Sequence, residues 1–196
     1  MSGDPRLVPI VLGCIGNLDG KTFLDVACGL GRWGYEIKLG FSGHPKYTVG
    51  LDVWLPNLKF SKNHSIYDDV ILADARFLPV KDNSFNTVCA CEVLLHIQKE
   101  RGYSVLKELE RVSNQNVIIS TPNQDMNFPE DLGNPFERNL SRWSTKELKK
   151  LGYKVKGVGF QIKGHKISGL VLSGLTSLSI FSRFGELIVG LKEVDK

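Results

Sequence analysis

With 196 residues, 42% of them hydrophobic, the chain is long enough to bury a substantial core and has the size of one ordinary domain. Its net charge of +4 is spread along the sequence without a basic block, so nucleic-acid binding is permitted by composition but not indicated by it. Cys14, Cys28, Cys89 and Cys91 lie in or beside predicted helix and strand and form no C-x-x-C pair, which suggests neither a zinc site nor a disulfide framework and fits a reducing compartment.

Leu7, Ile10, Val11, Cys14 and Leu18 recur at close to helical spacing over Arg6 to Leu18, despite Pro9 and Gly13. No charged segment leading to a small-residue cleavage site precedes them, and the protein is read as cytoplasmic. A strand at Phe23 to Val26 runs through a glycine-rich turn into a helix from Arg32 to Leu39, which Gly40 ends where a C-cap glycine is favoured. Tyr47 to Leu51 is the second strand, Leu55 to Asn63 a short helix, Val70 to Ala73 the third strand and Thr87 to Cys91 the fourth. Gln98 to Val112 is an amphipathic helix with Val105, Leu106, Leu109 and Val112 inward. The contiguous Val117, Ile118 and Ile119 mark a fifth strand over Asn116 to Ser120, buried on both faces as parallel strands are.

Pro122 to Trp143 holds Pro122, Pro129, Pro135 and four asparagines with no periodicity, a length of loop that is read as functional. Ser144 and Glu147 have capping-box spacing, and Trp143 with Leu148 stands at the positions of a hydrophobic staple, so a helix starts at Thr145. Tyr153 to Phe160 alternates like a strand near an edge; Gly169 to Phe181 is a last helix and Glu186 to Leu191 a last strand. Ile167 to Ser182 lacks charge, but its serines, threonine and glycines and its shortfall from the roughly 20 apolar residues of a spanning helix make it a buried or interfacial segment. Strands alternating with helices call for an α/β fold with a mostly parallel sheet and right-handed crossovers.

The stretch from Thr22 to Gly34, T-F-L-D-V-A-C-G-L-G-R-W-G, describes a turn that holds a cofactor, because Gly29 and Gly31 tolerate positive φ and let a ligand approach the backbone. Gly29, Gly31 and Gly34 also spell G-x-G-x-x-G, a weak pattern without context. Context comes from Val49 to Asp52, from Ile71 to Pro79 and from Phe85 to Ile97, each an apolar run followed by a polar residue. Asp25, Gly29, Asp52, Asp74 and Glu92 thereby fall at strand carboxyl ends, where open α/β sheets bind ligands. Asp52 can accept hydrogen bonds from both hydroxyls of a ribose, or serve as a turn aspartate.

In this order the four stretches resemble the motifs of class I S-adenosylmethionine-dependent methyltransferases, in wording the type 11 branch, over roughly residues 20 to 120. One departure is visible: where that family has D-x-G-x-G-x-G, this chain has Ala27 for the first glycine. The resemblance implies a Rossmann-like, seven-stranded, mostly parallel sheet with helices on both faces and an antiparallel last strand. It also implies S-adenosyl-L-methionine as cofactor, held by Asp25, Ala27, Gly29, Gly31, Asp52, Val53, Asp74, Ala75, Cys91 and Glu92. Asp25 is expected near the methionine ammonium. Asp74 is expected to accept from the adenine amine while the Ala75 amide donates to a ring nitrogen. Val53 and Trp54 either flank the adenine or pack in the core.

A sulfonium is an excellent leaving group, so in-line positioning supplies much of the acceleration and a base is optional. If the acceptor is a hydroxyl or a protonated amine, His96 is the candidate base, the alternative being a cap or packing histidine. Phe136, Arg138, Arg142 and Trp143 suggest a basic, aromatic lid over the acceptor, or else loop anchors. Asn134-Pro135-Phe136 is superficially like the N-P-P-[FY] signature of amino methyltransferases, but lacks a proline and follows the fifth strand instead of the fourth. Tyr103 and Lys107 have the Y-x-x-x-K spacing of short-chain reductases, yet precede the fifth strand and lack the T-G-x-x-x-G-x-G opening. The reading is therefore a methyltransferase acting on a small-molecule or lipid-like acceptor. An RNA or protein methyltransferase is the alternative, and a reductase or non-catalytic scaffold of the fold stands further off. No metal site and no transmembrane segment are expected.

Overall fold

The computed structural model describes residues 4–123, 133–159, 161–162, 165–166 and 182–194. Five α-helices are present among them: α1 Leu7–Ile15, α2 Arg32–Lys38, α3 Leu55–Asn63, α4 Lys99–Val112 and α5 Thr145–Lys150. Strands β1 Thr22–Val26, β2 Tyr47–Asp52, β3 Asp69–Leu72, β4 Phe85–Cys91, β5 Ser113–Pro122, β6 Lys154–Val158 and β9 Leu187–Glu193 form one sheet. A separate ribbon pairs β7 Gln161–Ile162 with β8 His165–Lys166. The helix expected over Gly169 to Phe181, and most of the uncharged Ile167 to Ser182 segment, lie outside the described residues.

The sheet runs β3-β2-β1-β4-β5-β9-β6. β1 to β5 pair in parallel, whereas β9 is antiparallel to both β5 and β6, so the last strand is the reversed one. The order turns back between β1 and β4, the switch point where an α/β sheet opens a crevice beyond its strand ends.

Alternation along the strands builds the two faces. Leu24 and Val26, Val88 and Ala90, Val117 and Ile119, and Ile188 share one core with α4 and α5. Phe23, Cys89, Cys91, Ile118, Leu187 and Val189 point the other way, into a second core with α1 and α2. This is the period-two alternation of a strand, with both sides covered as a parallel sheet requires.

Several boundaries differ from the sequence reading, for local reasons. α1 stops at Ile15 because Gly16 takes φ +68°, so Leu18 joins the core from beyond the helix. β5 extends from Ser113 to Pro122, since pairing with both β4 and β9 carries it past its apolar centre. The helix at Thr145 starts where expected: Ser144 Oγ accepts from the Glu147 N–H at 3.3 Å, and Glu147 Oε2 accepts from the Ser144 N–H at 2.8 Å. No helix among the described residues is long and apolar enough to cross a membrane.

Candidate active site

A cavity of about 880 Å3 opens at the carboxyl ends of β1, β2 and β4. Its wall includes Ala27, Gly29, Gly31, Asp52, Val53, Asp74, Ala75, Cys91, Glu92, His96 and Phe136, so residues dispersed over more than half of the sequence meet in one crevice.

The turn after β1 is left-handed at three places: Ala27 at φ +56°, Gly29 at +56° and Gly31 at +85°. Gly31 is needed twice over, since a Cβ there would lie 2.9 Å from two carbons of Ile66. A Cβ on Gly29 would meet nothing within 4 Å, so that glycine serves the backbone angle and leaves open space above the turn. Ala27 keeps the conformation its glycine counterpart would take, at a steric cost of about 1–2 kcal/mol.

Asp52 is buried at the end of β2. Its Oδ2 accepts the Gly29 N–H at 2.8 Å and its Oδ1 accepts the Trp54 N–H at 2.7 Å. Asn57 Nδ2 also donates to Oδ2, at 3.5 Å, so of the roughly four lone-pair directions of an ionised carboxylate one, on Oδ1, remains open for a ligand hydroxyl. Asp74, after β3, is engaged by Arg76, whose Nε lies 2.9 and 3.0 Å from its two oxygens and whose Nη2 lies 2.5 Å from Oδ2. This clamp holds its carboxyl below the usual range against the opposing effect of partial burial. An adenine amine would share Asp74 with that guanidinium, a partner that sequence reading missed although it stands two residues on.

Glu92 follows β4 with φ +57°, an unusual angle for a side chain with a Cβ. Ser120 Oγ on β5 donates to its Oε1 at 2.7 Å. Desolvation pushes the Glu92 carboxyl up to about 7, and the Ser120 bond opposes this. His96 ends a 3-10 turn over Leu94–His96. Burial lowers its pKa, while its bonds to the backbone at Arg138 and Glu137 act in the opposite direction. Nδ1 lies 3.3 Å from the Arg138 carbonyl oxygen; a carbonyl only accepts, so the proton belongs on Nδ1 and Nε2 is the basic nitrogen.

Four expected positions fall elsewhere. Asp25 is 1% exposed and does not line the cavity; its Oδ2 accepts the Tyr67 hydroxyl at 2.5 Å, behind the glycine turn. Trp143 is wholly buried and belongs to the core under α4, not to a lid, because its indole seats against Gly102 and meets Tyr103 edge-on at 5.1 Å. Arg138 and Arg142 are also off the wall; Arg142 Nη2 donates to the Asn123 carbonyl at 3.1 Å. Among the described residues of this loop, Asn134, Phe136, Glu137 and Leu140 reach the cavity. The loop is pinned by the Leu140 and Ser141 amides, which donate to the Leu95 carbonyl at 2.7 and 3.0 Å. Phe136 faces Trp54 across the mouth, with ring centroids 6.1 Å apart. Among the described residues, no group of three or more His, Cys, Asp or Glu could hold a metal ion.

The strand order, the left-handed turn after β1 and the carboxylate closing β2 are those of a Rossmann-like methyltransferase. The family model described as a methyltransferase domain matches residues 24–120, and the chain resembles class I S-adenosylmethionine-dependent methyltransferases of the type 11-like group. Its fold is shared by the methyltransferase in a complex with the Trm112 methyltransferase activator from Haloferax volcanii. That match has a TM-score of 0.66 and 15% identity, over 97% of this chain and 89% of that one. A S-adenosylmethionine-dependent methyltransferase from Archaeoglobus fulgidus aligns with a TM-score of 0.59 and 18% identity, over 96% and 90%. The magnesium protoporphyrin IX methyltransferase of Synechocystis PCC 6803, with S-adenosylmethionine bound, aligns at 0.58 and 16%, over 95% and 78%. An uncharacterised protein from Methanocaldococcus jannaschii is 28% identical over 134 residues, 67% of this chain and 54% of its own, so the chain spans about half the length of that curated relative.

The crevice has room and chemistry for S-adenosylmethionine. Space stands open above Gly29, and Asp52 keeps acceptor capacity at the wall.

Proposed function

We propose that this methyltransferase transfers the methyl group of S-adenosylmethionine to a small or lipid-like acceptor that enters beside Phe136 and Leu140. The observation that carries this reading is the apolar character of the crevice beyond the glycine turn, where Val93, Ile97, Phe136 and Leu140 line the wall. Such walls retain an apolar body while a few polar groups orient its reactive end.

The bound cofactor supplies a methyl group made electrophilic by the positive sulfur. Asp52 holds the ribose, Asp74 and the Ala75 amide read the adenine, and Gly29 and Gly31 let the backbone approach the rest. His96 Nε2 takes the proton of a hydroxyl or amine acceptor, a role that the lowered pKa of its ring suits by keeping it neutral near pH 7. A protein partner also fits this reading, since a structure of the same fold was solved with an activator.

Calorimetry with S-adenosylmethionine, S-adenosylhomocysteine and NADH tests the cofactor: saturable NADH binding without the sulfur ligands overturns the assignment. Incubation with methyl-labelled S-adenosylmethionine and a cell extract tests the acceptor. The expected label partitions into organic solvent, and label confined to RNA or protein rejects the acceptor class.

A further inference from the structure

We infer that Tyr67 is a positioning residue for the cofactor, a latch that holds Asp25 and the glycine turn from behind so that the charge state of Asp25 governs how tightly the cationic cofactor binds. The inference rests on the methyltransferase reading and assigns a role to two residues that do not line the crevice.

The Tyr67 ring occupies a slot made of two glycines. A Cβ on Gly34, in α2, would lie 2.2 Å from Tyr67 Cε1, and a Cβ on Gly50, in β2, would lie 2.5 Å from its Cδ2. The third glycine of the G-x-G-x-x-G pattern is thus required by an aromatic ring from the α3–β3 connection. At the bottom of the slot the Tyr67 hydroxyl donates to Asp25 Oδ2 at 2.5 Å and accepts the Gly34 N–H at 3.3 Å. One phenol therefore ties β1 to the first turn of α2, on either side of the residues that form the turn.

Neighbours of Tyr67 complete the support. Ile66 packs under Gly31, and Ser61 Oγ donates to the Gly29 carbonyl at 3.4 Å. The connection from α3 to β3 is a buttress for the whole turn.

The charged and titratable groups facing Asp25 are Tyr67 from this connection, Asp52 on β2, Cys28 in the turn and Cys89 on β4. Desolvation pushes Asp25 up to about 7, the Tyr67 bond pulls it down, and the Asp52 charge raises it. Asp25 is therefore poised to change charge near neutral pH, while the Tyr67 phenol, pushed above its ordinary range, stays protonated. A cationic ligand in the adjoining crevice gains from the ionised form, so affinity should rise with pH through this range.

Tyr67→Phe keeps the ring in its slot and removes only the hydroxyl. Calorimetric titration with S-adenosylmethionine from about pH 6 to about pH 9 should give a dissociation constant raised by about three- to tenfold at neutral pH. The rise of affinity with pH should move to higher pH, because Asp25 has lost the bond that favours its carboxylate. Wild-type affinity with an unmoved pH profile would overturn the latch. Should Tyr67→Phe fail to fold, Asp25→Asn decides: a flattened pH profile supports the inference and a retained one refutes it. A wild-type protein that binds no S-adenosylmethionine would remove the methyltransferase reading first, and the latch with it.

Discussion

The Gly29 N–H donates to Asp52 Oδ2 at 2.8 Å, so the carboxylate at the end of β2 closes the turn that follows β1. Adjacent parallel strands make this contact possible, since Val26 pairs with Leu51, one residue before Asp52. The same carboxylate is oriented by the Trp54 amide at 2.7 Å. Asp52 thus shapes the turn and faces the crevice at once.

Asp52→Ala should weaken S-adenosylmethionine binding by about 1.5–3 kcal/mol, the range for hydrogen bonds to a charged group. Titration calorimetry measures it, and unchanged affinity would show that the carboxylate serves only the turn.

Ala27 sits at φ +56°, where the related motif has glycine. Ala27→Gly relieves that strain but frees the unfolded chain, at about 0.4–1 kcal/mol, so a net gain of up to about 1 kcal/mol is expected. A melting temperature lowered by the substitution would contradict it.

Asp25 and Glu92 both have carboxyls raised to about 7 by burial. A raised folded pKa means that the native state binds more protons than the unfolded chain between about pH 4 and pH 7. Their stabilising contribution is therefore complete below pH 4 and is lost as the pH climbs through 7. For Asp25 this amounts to at most on the order of 4 kcal/mol; half-buried Glu92 adds less. Urea midpoints compared at about pH 5 and about pH 8 should fall with pH, and Asp25→Asn should flatten the trend.

Gly102 lies in α4, and a Cβ there would meet Trp143 Cζ2 at 2.4 Å. Gly102→Ala should destabilise by about 1–3 kcal/mol through overpacking despite the better helix propensity of alanine. Trp143→Ala should cost about 3–5 kcal/mol through the cavity it leaves. Chemical denaturation gives both values. A neutral Trp143→Ala would return this residue to the loop surface.

Amino-acid order by itself determined what depends on near neighbours. Apolar runs with period two or 3.6 located α4 and the sheet strands to within a few residues. The Ser144 and Glu147 spacing placed the start of α5, because a capping box is closed within one turn. Four apolar runs that each end in a polar residue exposed the crevice, since a parallel sheet brings every strand's carboxyl end to one side. Local pattern was silent about which polar groups would already be engaged. Tyr67 takes Asp25, and Trp143 leaves the mouth for the core under α4. These outcomes were decided by tertiary structure, because burial and hydrogen-bond partners are sums over residues distant in sequence: Gly34 and Gly50 must first come together before a tyrosine can reach the carboxylate between them.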